Sequence, residues 1–92
     1  MSLLSSEKVQ QELRSLPGWK LEDKEIARTF EFPDFVRAME FVGQVAEKAE
    51  AAGHHPDIDI RYNRVRLALV SHDAGGLTDR DIAMARSLNS LH

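Results

Sequence analysis

The sequence predicts an α+β domain in the order α-ββ-α-ββ-α, with one four-stranded antiparallel sheet and its helices packed on one face. Three observations carry this. Two pairs of short alternating segments, each pair joined by a turn signal, read as β-hairpins. The stretch between the pairs, Pro33 to Gly53, keeps helical apolar spacing longer than any other. The chain has 92 residues, enough for a single domain (1–92) with a real but modest core.

Ser5 or Ser6 can cap a first helix, and Glu7 then sits in its first turn, where negative charge suits the helix dipole. Val9, Leu13 and Leu16 form its apolar stripe, and Pro17-Gly18 ends it. Trp19 to Glu22 alternates apolar and polar, Asp23-Lys24 suits a turn, and Ile26, Phe30 and Phe32 share one face of the next segment. Arg28 interrupts that face. Pro33 and Asp34 suit the first turn of the long helix, whose apolar positions are Phe35, Ala38, Met39, Val42, Val45, Ala46 and Ala49. Gly53 is the expected residue just past its end.

Ile58, Ile60 and Tyr62 then alternate with Asp57, Asp59 and Arg61, which gives Tyr62 a packing role. Asn63-Arg64 suits a tight turn, and Val65, Leu67 and Leu69 alternate with Arg66, Ala68 and Val70. The outer sheet face is expected to be only partly apolar, from Ala27, Thr29, Arg66, Ala68 and Val70. The returning strand ends at Ser71-His72-Asp73, and Ala74-Gly75-Gly76 reads as a flexible connection. Thr78 to Asp81 resembles a capping box, with Ile82, Ala85, Leu88 and Leu91 on one face of a last helix. The terminal His92 is expected to fray.

Composition narrows the function. Twelve Lys+Arg against 15 Asp+Glu give a formal net charge of −3, which disfavours binding through nucleic-acid phosphates. There is no cysteine, so there is neither a disulfide framework nor a thiolate metal site, and a reducing cytoplasm fits. No apolar run approaches the roughly 20 residues of a membrane-spanning helix, and the first residues are too polar for a signal peptide.

Three of the four histidines, His54, His55 and His72, fall in the run from Glu50 to Asp81. Gly53 drops His54-His55-Pro56 just beyond a helix end, and a returning hairpin can bring His72 back toward that corner. Imidazole, with an unperturbed pKa of about 6.5, exchanges protons near neutral pH, so a shared pocket would suit general acid–base chemistry. Glu50 and Asp81 are placed to orient the rings. Each residue also has a plain structural reading. A His-His pair in a loop is commonly a surface turn, Asp81 is the N3 residue of a capping box, Glu50 is a solvated helix position, and Asp57, Asp59 and Asp73 are exposed. A metal held by His54, His72 and a carboxylate is the rival chemistry, but adjacent histidines in extended chain point apart and chelate poorly.

The pattern Glu50-x3-His54-His55-Pro56-x5-Tyr62-x9-His72-x8-Asp81 resembles the signature of the pterin-4a-carbinolamine dehydratases, also known as dimerisation cofactors of a hepatocyte transcription factor. The likeness extends through Tyr62 to Val65, Gly76 to Asp81, Gly18-Trp19 and the Asp34-Phe35-x-Arg37-Ala38 helix start. It implies dehydration of 4a-hydroxytetrahydrobiopterin to quinonoid dihydropterin and water, recycling the pterin of aromatic amino acid hydroxylases. By position, His54 and His72 resemble the family's acid–base histidines, and His55 resembles the one that holds the pterin. Glu50, Arg80 and Asp81 match surrounding polar residues, and Pro56 with Ser71, His72, Asp73 and Ala74 matches substrate-lining segments. The resemblance implies no cofactor or metal, a pterin as the small-molecule partner, a homodimer or homotetramer, and no partnership with nucleic acid or membrane. Gly53 and Ile58 depart from the Asp and Trp of animal-type members, which makes the likeness one to bacterial-type members. Two alternatives stand beside the enzyme: a non-catalytic oligomeric interaction or regulatory module, and a pterin-binding protein linked to molybdenum-cofactor metabolism.

Overall fold

The computed structural model describes residues 2–92. Elements follow the predicted order: α1 (Ser6–Leu13), β1 (Lys20–Glu22), β2 (Glu25–Glu31), α2 (Phe35–Ala52), β3 (Asp57–Arg61), β4 (Arg64–Leu69) and α3 (Asp79–Asn89). The strands form one antiparallel sheet in the order β1-β2-β4-β3. The second hairpin therefore docks through β4, its more apolar strand, which lies between β2 and β3.

Register decides which face is buried. Ile26 pairs with Leu69, and Phe30 pairs with Val65, so these side chains point the same way. All four are buried against Ala38, Phe41 and Val45 of α2 and Ile82, Ala85 and Leu88 of α3. Phe30 and Phe41 touch with ring centroids 4.7 Å apart. The opposite face carries Ala27 beside Ala68, with Arg66 paired to Glu22 and Arg64 to Glu31. Small alanines flanked by long charged side chains cover that face without an apolar layer. Among the described residues, no helix is long and apolar enough to cross a membrane.

Several local expectations shift. Ser5, not Ser6, caps α1, accepting from Lys8 N–H at 3.1 Å, and the helix ends at Leu13, so Leu16 is buried from the loop beyond it. Pro33 and Asp34 precede α2. Asp34 is its N-cap, accepting from Arg37 N–H at 2.8 Å. The β3–β4 turn is Tyr62-Asn63, one residue earlier than expected, with Tyr62 at φ 53°. Asn63 fixes it by donating to the Phe32 carbonyl at 2.8 Å. Ile58, Ile60 and Tyr62 are not core residues, because β3 is an edge strand beyond the helices' cover. Tyr62 is 69% exposed and stacks on Phe35. The buried stripe of α2 is Ala38, Phe41, Val45 and Ala49, with Phe35 and Met39 outside it.

Arg28 does stand on the buried face. Its guanidinium donates to Asn89 Oδ1 at 2.6 Å and to the Pro17 carbonyl at 3.0 Å, and lies 4.2 Å over the Phe30 ring. Burial lowers its affinity for the proton. Asn89 Oδ1 also accepts from Trp19 Nε1–H at 2.8 Å, tying α3 to the loop before β1. His92 does not fray. Its ring packs edge-on to Phe30 and Phe32 at 5.4 and 5.3 Å between centroids, while remaining exposed on its other side.

Candidate functional site

Three chain segments converge at the site: the end of α2, the end of β4 and the start of α3. At the first, Gly53 adopts φ 63°, in the left-handed region that glycine enters cheaply. Its N–H donates to the Glu50 carbonyl at 3.3 Å, and the His54 N–H donates to the Ala49 carbonyl at 3.2 Å. This closure uses the carbonyls left open at the helix end and turns the His54 side chain inward. His54 and Pro56 are buried, and His55 between them is exposed.

At the second segment, Ser71 N–H donates to the Gly76 carbonyl at 3.0 Å, and Gly75 N–H returns to the Ser71 carbonyl at 3.0 Å. The Ala74-Gly75-Gly76 stretch is thus a hydrogen-bonded loop instead of the expected flexible connection. At the third, Thr78 caps α3 in a full capping box with Asp81.

Asp81 is fully buried and serves all three segments. Its Oδ2 accepts from Thr78 N–H at 2.9 Å and from Ser71 Oγ–H at 2.8 Å. Its Oδ1 lies 2.6 Å from His54 Nε2. A carboxylate has no proton to give, so His54 Nε2–H is the donor. Ser71 has a single hydroxyl proton, committed to Asp81, so Thr78 Oγ1–H donates to Ser71 Oγ at 2.8 Å. Asp81 therefore caps α3 and holds the His54 ring at once, one role to each carboxylate oxygen. With Nε2 protonated and held, neutral His54 keeps its lone pair on Nδ1.

His54 opens onto a concavity of about 380 Å³ between α2 and α3, lined also by Lys48, Ala51, Arg80, Ala83 and Met84. That size lies within the range of small-molecule sites. Arg80 donates to Asp73 at 2.5 Å, and this bond holds the Asp73 carboxyl below its ordinary pKa. His55 meets Glu50 at 2.5 Å on the surface, where both are mostly exposed. Such open pairs contribute about 0–1 kcal/mol.

His72 is exposed and lines a different concavity, with Asp23, Lys24, Glu25, Val70 and Gly75. Its link to His54 runs through the chain: Ser71, its neighbour, is hydrogen-bonded to the carboxylate that holds His54. Among the described residues, no three His, Asp or Glu side chains are grouped as a metal would need. Sequence reasoning missed Lys48, Ala83 and Met84. The signal was present as the spacing Arg80, Ala83, Met84, Ser87, one face of α3 distinct from its Ile82-Ala85-Leu88 core face.

Fold and site define a small α+β domain with a buried histidine–carboxylate pair where two helix ends and a strand end meet. The chain matches the model of the family described as pterin 4 alpha carbinolamine dehydratase over residues 2–91, and it belongs to that family. A provisionally named pterin-4-alpha-carbinolamine dehydratase of Acidobacterium capsulatum is 64% identical over 91 residues, covering 99% of each chain. A relative of the same provisional name from Chloroflexus aurantiacus is 55% identical, covering 99% of this chain and 98% of its own. A crystal structure of a transcriptional coactivator/pterin dehydratase from Brucella melitensis superposes with a TM-score of 0.94 at 39% identity, covering 98% of both chains. A pterin dehydratase-like protein described as a RuBisCO assembly factor in the alpha-carboxysome superposes with a TM-score of 0.65 at 20% identity, over 79% of this chain and 84% of its own. At that identity the match shows a shared fold alone.

Proposed function

We propose that the protein dehydrates 4a-hydroxytetrahydrobiopterin to quinonoid dihydropterin and water. The observation that carries the reading is the buried His54–Asp81 pair at the mouth of a small-molecule concavity. The reaction needs a proton delivered to the C4a hydroxyl, which leaves as water, and a proton removed from N5 as the C4a=N5 bond forms. In this reading imidazolium His54 donates from Nδ1 to the departing hydroxyl, and neutral His54 then accepts the N5 proton, which resets the site. His72 lines the other concavity and carries neither of these proton transfers, and His55, with Glu50 behind it, holds the pterin. Pro56, Ser71, Asp73, Ala74 and Arg80 shape the surrounding site. Neither a nucleophile nor a redox group enters these steps.

The cellular role in this reading is recycling of the pterin used by an aromatic amino acid hydroxylase, in the cytoplasm. A homodimer or homotetramer accompanies it, supported by the edge position of β3 and by exposed Phe35, Val36, Ile58, Ile60 and Tyr62. Stopped-flow decay of 4a-hydroxytetrahydrobiopterin generated in situ tests the activity. Acceleration by wild type and none by a His54→Ala/His72→Ala variant is expected. Equal decay with and without wild-type protein would remove the dehydratase reading.

A further inference from the structure

We infer that the concavity beside His54 takes a pterin whose side chain bears an anionic group, a phosphate ester above all, and that Lys48 selects it. The inference rests on the dehydratase reading and adds the substrate's charge. The concavity is lined by Lys48, Arg80 and His54, over an apolar floor that includes Ala51, Ala83 and Met84, and no Asp or Glu lines it. In a chain with 15 acidic and 12 basic residues, such a lining runs against the average.

Neither cation is fully used by the fold. Lys48 is half-buried, yet it joins none of the ion pairs among the described residues. Its place is not explained by the helix dipole either, since the last turn of α2 holds no basic residue. Arg80 spends one terminal nitrogen on Asp73, while its Nε is buried without a hydrogen-bond partner. A buried donor left unpaired is costly, so its place beside the concavity calls for an explanation. The two cations line one concavity, Lys48 from α2 and Arg80 from α3.

The reaction chemistry fixes the orientation. C4a and N5 must face His54, and the ring position next to N5 is C6, which carries the side chain. That side chain leaves the reacting end along the concavity, whose lining includes Lys48 and Arg80. A phosphate ester supplies acceptors for both, as charge-assisted hydrogen bonds.

The test compares binding of 6-hydroxymethylpterin and its phosphate monoester to the full chain by fluorescence quenching, independently of turnover. Wild type is expected to prefer the phosphate ester about tenfold, the effect of one charge-assisted contact. Lys48→Gln is expected to reduce that preference to about twofold or less, and Lys48→Arg to keep it. Raising ionic strength from about 0.05 to about 0.5 M should shrink it in wild type. Equal affinities for the two pterins in wild type, binding of neither, or an undiminished preference in Lys48→Gln would overturn the inference. Wild-type decay of a neutral carbinolamine is read separately, so a failed dehydratase reading and a failed charge preference give different results.

Discussion

Replacing Asp81 by Asn tests how far one buried carboxylate unites fold and chemistry. The side chain keeps its shape and is fully buried, so solvent cannot replace what is lost. One amide oxygen can still accept from Ser71 Oγ–H and Thr78 N–H, as Oδ2 does now. The amide nitrogen then faces His54 Nε2, where a donor meets a donor. His54 must move its proton to Nδ1 or lose the contact. Either way the nitrogen assigned to proton exchange in the proposed reaction is wrongly configured, and the ring loses its carboxylate partner. Hydrogen bonds to charged groups are worth about 1.5–3 kcal/mol each, and the variant forfeits one while weakening two. A loss of about 2–3 kcal/mol follows, which at about 1 kcal/mol per molar urea shifts the midpoint by roughly 2–3 M. Dehydration should fall about a hundredfold or more, the usual worth of a positioned acid–base group. Urea unfolding, stopped-flow decay and the imidazole ¹⁵N shifts of His54 give the three readouts. Unchanged turnover with the Nε2–H tautomer retained, or a midpoint shift below about 0.5 M, would refute the reasoning.

Further expectations concern the supports of the site. Gly53→Ala should cost about 1–2 kcal/mol, because a Cβ at φ 63° is strained although it meets nothing within 4 Å. The loss should appear in urea unfolding and be larger in turnover, since His54 follows directly. Asn89→Ala removes the acceptor shared by Trp19 and Arg28 and should cost about 2 kcal/mol, with a shift in Trp19 emission at unchanged helix content. Arg80→Met should return the Asp73 carboxyl to its ordinary range in an NMR titration. Because that carboxyl is depressed in the folded protein, its contribution is present above the unfolded Asp value near 3.8 and is lost as pH falls through the lower folded value. The stability gap between wild type and Arg80→Met attributable to this pair should therefore narrow only on acidification. An unmoved Asp73 titration would contradict the assignment.

The sequence was legible where one local rule governs. The period-2 stripes of β2 and β4, the extent of α2, the Gly53 stop and the Thr78–Asp81 box read correctly, because neighbouring residues alone determine them, whereas the α2 stripe missed Phe41 and wrongly took in Phe35 and Met39. It was less legible where tertiary position decides. Ile58, Ile60 and Tyr62 have a core pattern, but strand order leaves β3 at the edge. Arg28 looked like an interruption until Pro17 and Asn89, far apart in sequence, supplied its partners. His92 is held by three phenylalanines from β2, the segment after it and α2, which no terminal residue announces. Within the site, Asp81 was visible as a cap and as a partner for a ring. That each oxygen serves one role required the Ser71 and His54 distances. Lys48 was invisible because it faces a concavity formed only when α2 and α3 meet.

The most direct test of the central claim, that His54 and Asp81 act as one acid–base unit, is a double-mutant cycle on the stopped-flow decay of 4a-hydroxytetrahydrobiopterin. Wild type, His54→Ala, Asp81→Asn and the double variant would be compared at equal folded concentration. If Asp81 acts through His54, the double variant should be no slower than His54→Ala alone. Losses that multiply, or a His54→Ala variant as fast as wild type, would contradict the account.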